Sequence, residues 1–159
     1  GGDLLLKQVA DYLLGTDFST TSTRRRDIVR SAASRLRSKG LVTFTNDHYS
    51  LTIAGKKILD SWHLSKYKIV QPRKWDKKWR VIIFDIPEKK RALRDQVRDI
   101  LTAAGFERLQ NSVWVYPYDC EDVIGLMKTD LRIGNNLLYM IVDQIENDRF
   151  LRMDFDLIH

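Results

Sequence analysis

Asp85 is the residue whose type and place most suggest chemistry. In VIIFDIPEKKR, residues 81–91, it follows four apolar residues and is itself followed, two positions on, by Pro87. A carboxylate where a buried strand runs out has two uses. It accepts backbone amides at the start of the next helix, where negative charge is favoured. Alternatively it stands at the rim of a sheet and coordinates a hard cation such as magnesium. The residues alone leave both open, with capping the simpler. A second set of functional side chains is cationic. The stretch RRRDIVRSAASRLRSKG, residues 24–40, puts Ile28, Val29, Ala32 and Leu36 on one side of a helix, with Arg26, Arg30, Ser34 and Arg37 on another. Small residues on that polar side allow close approach to base edges, and Arg24, Arg25 and Lys39 at the helix ends suit phosphate contact.

Other chemistry has little support in the chain. His48, His63 and His159 are dispersed, without the spacing of a zinc site. The single cysteine, Cys120, excludes an internal disulfide, and its acidic surroundings oppose thiolate formation. No glycine-rich phosphate loop is present. Met127, Met140 and Met153 read as core residues. No apolar run approaches the roughly 20 residues of a membrane span, and the opening GGDLLLKQVADYLL does not read as a signal peptide. A cytoplasmic protein is the expectation. Its net charge of +6 hides an asymmetry: residues 1–80 hold 17 Lys and Arg against 7 Asp and Glu, and the remainder hold 10 against 14. A cation surplus confined to one half points to a polyanionic partner for that half.

The elements that must position these residues can be read next. DLLLKQVADYLLG has helical spacing and a terminating glycine, and a polar loop follows it. The basic helix ends at Gly40, LVTFTNDHYSLT reads as a β-hairpin, and AGKKILDSW opens another helix. Helix, helix, hairpin is the order of a winged helix-turn-helix, in which the helix before the hairpin enters the major groove. His48 at the hairpin tip would then reach a minor groove or a phosphate. We assign residues 1–64 to this module and 65–78 to a basic linker. Lys74, Lys77 and Lys78 would lie beside a bound backbone, while Trp75 and Trp79 could stack on bases or sugars, with packing of the two domains together the favoured expectation.

From residue 79 onward, WRVIIFD reads as a buried strand. A helix follows from Pro87 and is closed by Gly105. FERLQ and SVWVYPY are strands joined at Asn111, DCEDVIGLMKT is a helix after Asp119, and NNLLYMIVD and RFLRMDFDL are strands. The fold class is therefore α+β: an N-terminal winged helix, then a ferredoxin-like βαββαβ domain over residues 79–159.

These residues carry a resemblance. FDIPEKKRALRDQVRDILTAAGFERLQNSVWV is similar to the core of the CRISPR-associated Cas2-like family, in which an acid closes the first strand. That family also has an Arg in the next helix, a Gly after it and a Gln-x-Ser-Val-aromatic strand. Asp85, Arg94, Gly105, Arg108, Gln110, Ser112, Val113 and Trp114 match in order. The chain resembles PaaX-type repressors over a longer stretch, through SRLRSKGLV, WDKKWR and FDIPE. The resemblance implies a symmetric homodimer on double-stranded DNA acting as a transcriptional regulator. As the alternative to that first reading, it allows a magnesium-dependent endonuclease or a CRISPR adaptation component with an integrase partner. In that case Asp85 would be the magnesium ligand and catalytic carboxylate, Ser112 a helper, and Arg94 and Arg108 holders of phosphate. The usual second acidic neighbour is replaced by Glu88 and Lys89, which leaves one carboxylate per chain for such chemistry.

Overall fold

The structure, a computed structural model, describes residues 28–63 and 74–157. The helix expected near the start of the chain, Arg24, Arg25, Arg26, most of the linker and His159 lie outside these residues.

The first described helix, α1 (Ile28–Ser38), buries Ala32, Ala33 and Leu36. It stops at Gly40, whose φ of +69° is a left-handed conformation that a glycine adopts without strain. The amide of Leu41 closes the end by donating to the Leu36 carbonyl at 2.9 Å. Strands β1 (Val42–Thr45) and β2 (His48–Leu51) then pair antiparallel. Asn46 and Asp47, both at positive φ, form the two-residue turn between them. Helix α2 (Ile53–His63) starts at Thr52, whose hydroxyl accepts the Gly55 amide at 3.1 Å and donates to the Gly40 carbonyl at 2.6 Å. Gly55 is required there because a methyl group would collide with the Leu41 carbonyl. Helix, hairpin and helix thus occur in the expected order.

The second region is a four-stranded antiparallel sheet, β4–β5–β3–β6. It is built from β3 (Trp79–Phe84), β4 (Glu107–Gln110), β5 (Val113–Tyr116) and β6 (Leu137–Val142). Helices α3 (Arg91–Ala103) and α4 (Glu121–Leu131) complete a βαββαβ order. Strand β3 is flanked on both edges and carries apolar residues on both faces, which explains its unbroken apolar run. One face contributes Ile82, Phe84, Trp114, Tyr116 and Leu137 to a core with Val97, Leu101, Ile124 and Met127. The same core includes Ala32, Leu36, Leu41, Val42 and Leu59 from the first region. The opposite face holds Trp79, Val81 and Val115 under Leu151.

Several expectations are corrected. RFLRMDFDL is not a strand: a last helix, α5, spans Arg149–Asp154. Apolar residues at 151, 153, 155 and 157 mimic a strand's alternation. Leu151 and Phe155, four residues apart, pack in the Trp79 cluster together with Leu157 beyond the helix, and Met153 is 61% exposed rather than core. Among the described residues, Trp75 and Trp79 do not join the two regions. They touch each other at 4.8 Å between centroids and pack on the sheet's second face with Phe155, in a cluster with no described residue from 28–63. Helix α3 begins at Arg91 rather than Pro87, because a 3-10 turn, Glu88–Lys90, intervenes and closes on the Pro87 carbonyl at 2.8 Å. No described helix is long and apolar enough to cross a membrane.

Candidate nucleic-acid interface

Helix α1 has two basic sides with different fates. With Ala32, Ala33 and Leu36 buried, Ser34 and Arg37 on the far side are exposed. Arg30 lies one turn earlier in the same helix. The hairpin beside it exposes Thr43, Thr45 and His48, along with Phe44, which is 43% exposed and tilted against Tyr49 at 4.8 Å between ring centroids. The sequence reading missed Phe44, since an apolar residue in a short strand signals core. The linker end exposes Lys74, Lys77 and Lys78. The side chains of Ser34, Arg37, Thr43, Thr45, His48, Lys74, Lys77 and Lys78 can donate to phosphates and base edges without breaking a described side-chain bond.

The other basic side of α1 is engaged. Asp122 in the first turn of α4 accepts from Arg35 Nε at 2.7 Å and, through its second oxygen, from Lys39 Nζ at 3.0 Å. Glu121 lies 3.9 Å from the same guanidinium. In the last turn of α4, Asp130 accepts from Lys56 Nζ of α2 at 3.1 Å. Burial pushes the Asp122 carboxyl up, but the two cations outweigh it and hold the group below the usual carboxylate range. Lys39, expected at a phosphate, therefore faces an internal acid. No sequence signal marked Arg35, Lys56, Asp122 or Asp130, because the partners lie far apart in the chain.

The residues expected around a metal centre converge only in part. Asp85 is half-buried just past β3, its amide donating to the Asn136 carbonyl at 2.8 Å. Ser112 is adjacent across the sheet, its carbonyl accepting from the Phe84 amide at 3.2 Å. Arg94 is held by Glu88 through two bonds of 3.0 and 3.3 Å, and Arg108 binds the Asn111 carbonyl and side chain. Among the described residues no group of three or more His, Cys, Asp or Glu could hold a metal ion. Asp85 and Ser112 thus share one end of the sheet without the further carboxylates that magnesium usually recruits. Cys120 is buried and its thiol is pushed up to about 12 by that burial, so it is no nucleophile at neutral pH.

Inside the sheet region charges are used structurally. Arg80, almost fully buried, binds both oxygens of Asp76 at 2.8 and 2.7 Å and the Pro117 carbonyl at 2.9 Å. Trp79 Nε1 donates to Asp148 at 3.0 Å. Comparison with known proteins agrees with this architecture. Residues 72–150, about half of the chain, match the family described as the PaaX protein central Cas2-like domain. No curated protein sequence matches the chain.

Proposed function

Since residues 72–150 are a PaaX-type Cas2-like domain, we propose that the chain is a homodimeric, double-stranded-DNA-binding transcriptional regulator working in the cytoplasm. The observation that carries this reading is the division of α1. One side is committed to the core and to α4, while the opposite side leaves Ser34 and Arg37 open beside an exposed hairpin. In this reading α1 lies in a major groove, with Arg30, Ser34 and Arg37 toward base edges and the phosphates beside them. Arg24, Arg25, Arg26, Lys74, Lys77 and Lys78 supply phosphate contacts. The hairpin, with His48 and Phe44, follows the adjoining backbone. Dimerisation uses the sheet's second face, where Ile83, Leu109, Val113 and Met140 remain half-buried beyond the cover of α5, and Phe150 and Met153 are exposed.

The test is a titration of a labelled random-sequence duplex with the full chain, with and without magnesium, beside an Asp85→Ala variant. Binding without cleavage, unchanged in Asp85→Ala, is the expected result. Magnesium-dependent cutting that Asp85→Ala abolishes would move the function to a nuclease. No binding at all would end the regulator reading. Light scattering on the same preparation should give the mass of two chains, and a single-chain mass would remove the dimer.

A further inference from the structure

The ion pairs between α4 and the first region occur at both ends of one helix. Asp122, in its first turn, holds Arg35 and Lys39 of the α1 segment. Asp130, in its last turn, holds Lys56 of α2. The two acids are eight residues apart, about 12 Å along the helix axis. A single contact would let the helix–hairpin–helix region pivot on the sheet region. Two contacts separated along an axis fix its angle.

Stability alone does not account for these pairs. All three cations and both acids keep between a quarter and about half of their side-chain surface in solvent. Pairs so exposed add little to folding free energy. The apolar seam beneath them, Ala32, Leu36, Leu41 and Leu59 with Val123, Ile124 and Met127, already joins the regions in one core. An apolar seam is tolerant of small rotations, whereas a carboxylate with each oxygen claimed by a different cation is not.

We infer that Asp122 and Asp130 are positioning residues that fix the angle of α1 on the sheet region, and thereby fix the distance between the two α1 helices of a dimer and the half-site spacing it accepts. The inference rests on the DNA-binding dimer proposed above. Paired sites bind tightly only when both modules can reach their targets together, so the clamp acts on selectivity between spacings rather than on contact with any one half-site.

The experiment is selection from a pool of random-sequence duplexes, carried out with wild type and with the double variant Asp122→Asn, Asp130→Asn. Wild type should enrich two copies of one element at a single spacing. The double variant should enrich the same element over a spread of spacings. On the wild-type paired site its affinity should fall about tenfold, with random-duplex affinity within about twofold of wild type. A charge swap, Asp122→Lys with Arg35→Glu and Lys39→Glu, should narrow the spacing again toward the single wild-type value. An unchanged single spacing in the folded double variant would overturn the inference while leaving the regulator reading intact. Equal losses on paired and random duplexes would also overturn it, since the reading helix itself would then be damaged. If wild type enriches no element, the DNA-binding reading fails and this inference falls with it.

Discussion

The two regions of the molecule use charge in opposite ways. In the sheet region, Arg80 is buried against Asp76, Asp148 holds Trp79 and Arg152, and Glu88 holds Arg94. In the helix–hairpin–helix region, Arg35, Lys39 and Lys56 reach out of the region to acids of α4, Lys56 also pairing with Asp60 within α2, and Ser34 and Arg37 face solvent. The cores differ in the same sense. The sheet has apolar clusters on both faces, whereas Ala32, Leu36, Leu41, Val42 and Leu59 of the first region belong to the cluster that contains α3 and α4. Among the described residues, the first region thus builds its core together with its neighbour and keeps Ser34 and Arg37 exposed on its outer side.

This contrast breaks most readily at Leu36, fully buried in the shared core. Leu36→Ala should cost about 2–5 kcal/mol, and both regions should unfold in one transition when denaturation is followed by tryptophan fluorescence and by hydrogen exchange. Separate transitions, with the sheet unmoved, would show two independent domains instead. A smaller loss is expected from Arg80→Met. It removes a buried guanidinium and strands the Pro117 carbonyl, while Asp76 is half in water. A destabilisation of about 2 kcal/mol should follow, with duplex affinity unchanged because this charge serves the sheet alone.

The smallest effect is a pH dependence. Burial, together with the hydrogen bond to Asp154, pushes Glu107 up to about 7. A carboxyl raised on folding stabilises the protein fully below its ordinary range, and that contribution is lost as pH rises through the folded value. Asp122 and Asp76, both lowered, behave oppositely: their contributions are present above the ordinary range and fade as pH falls through the depressed values. Glu107→Gln should therefore remove the part of the stability decline between the ordinary glutamate range and about pH 7. The check is the melting temperature followed across that interval. An unaltered decline would assign it to other groups.

Local pattern explains what the sequence revealed. The unbroken apolar run of β3 marked a central strand, and the spacing of Ala32 and Leu36 marked the buried side of α1. Gly40 and Gly105, both at positive φ, marked helix ends. Alternation misled at 149–157, where a six-residue helix is too short for its period to stand out from a strand's. The destination of Trp75 and Trp79 was unreadable because burial does not say which surface does the burying. The clamp was invisible for a different reason. Arg35 and Asp122 are 87 residues apart, and each reads alone as an ordinary solvated charge.

The central claim is that the outer side of α1 meets the DNA backbone and bases. Its most direct test is the salt dependence of duplex affinity for wild type and for the Arg30→Gln, Arg37→Gln double variant. The account predicts weaker binding, with the slope of log affinity against log salt shallower by about 2 in the variant. A slope and an affinity that both match wild type would contradict it.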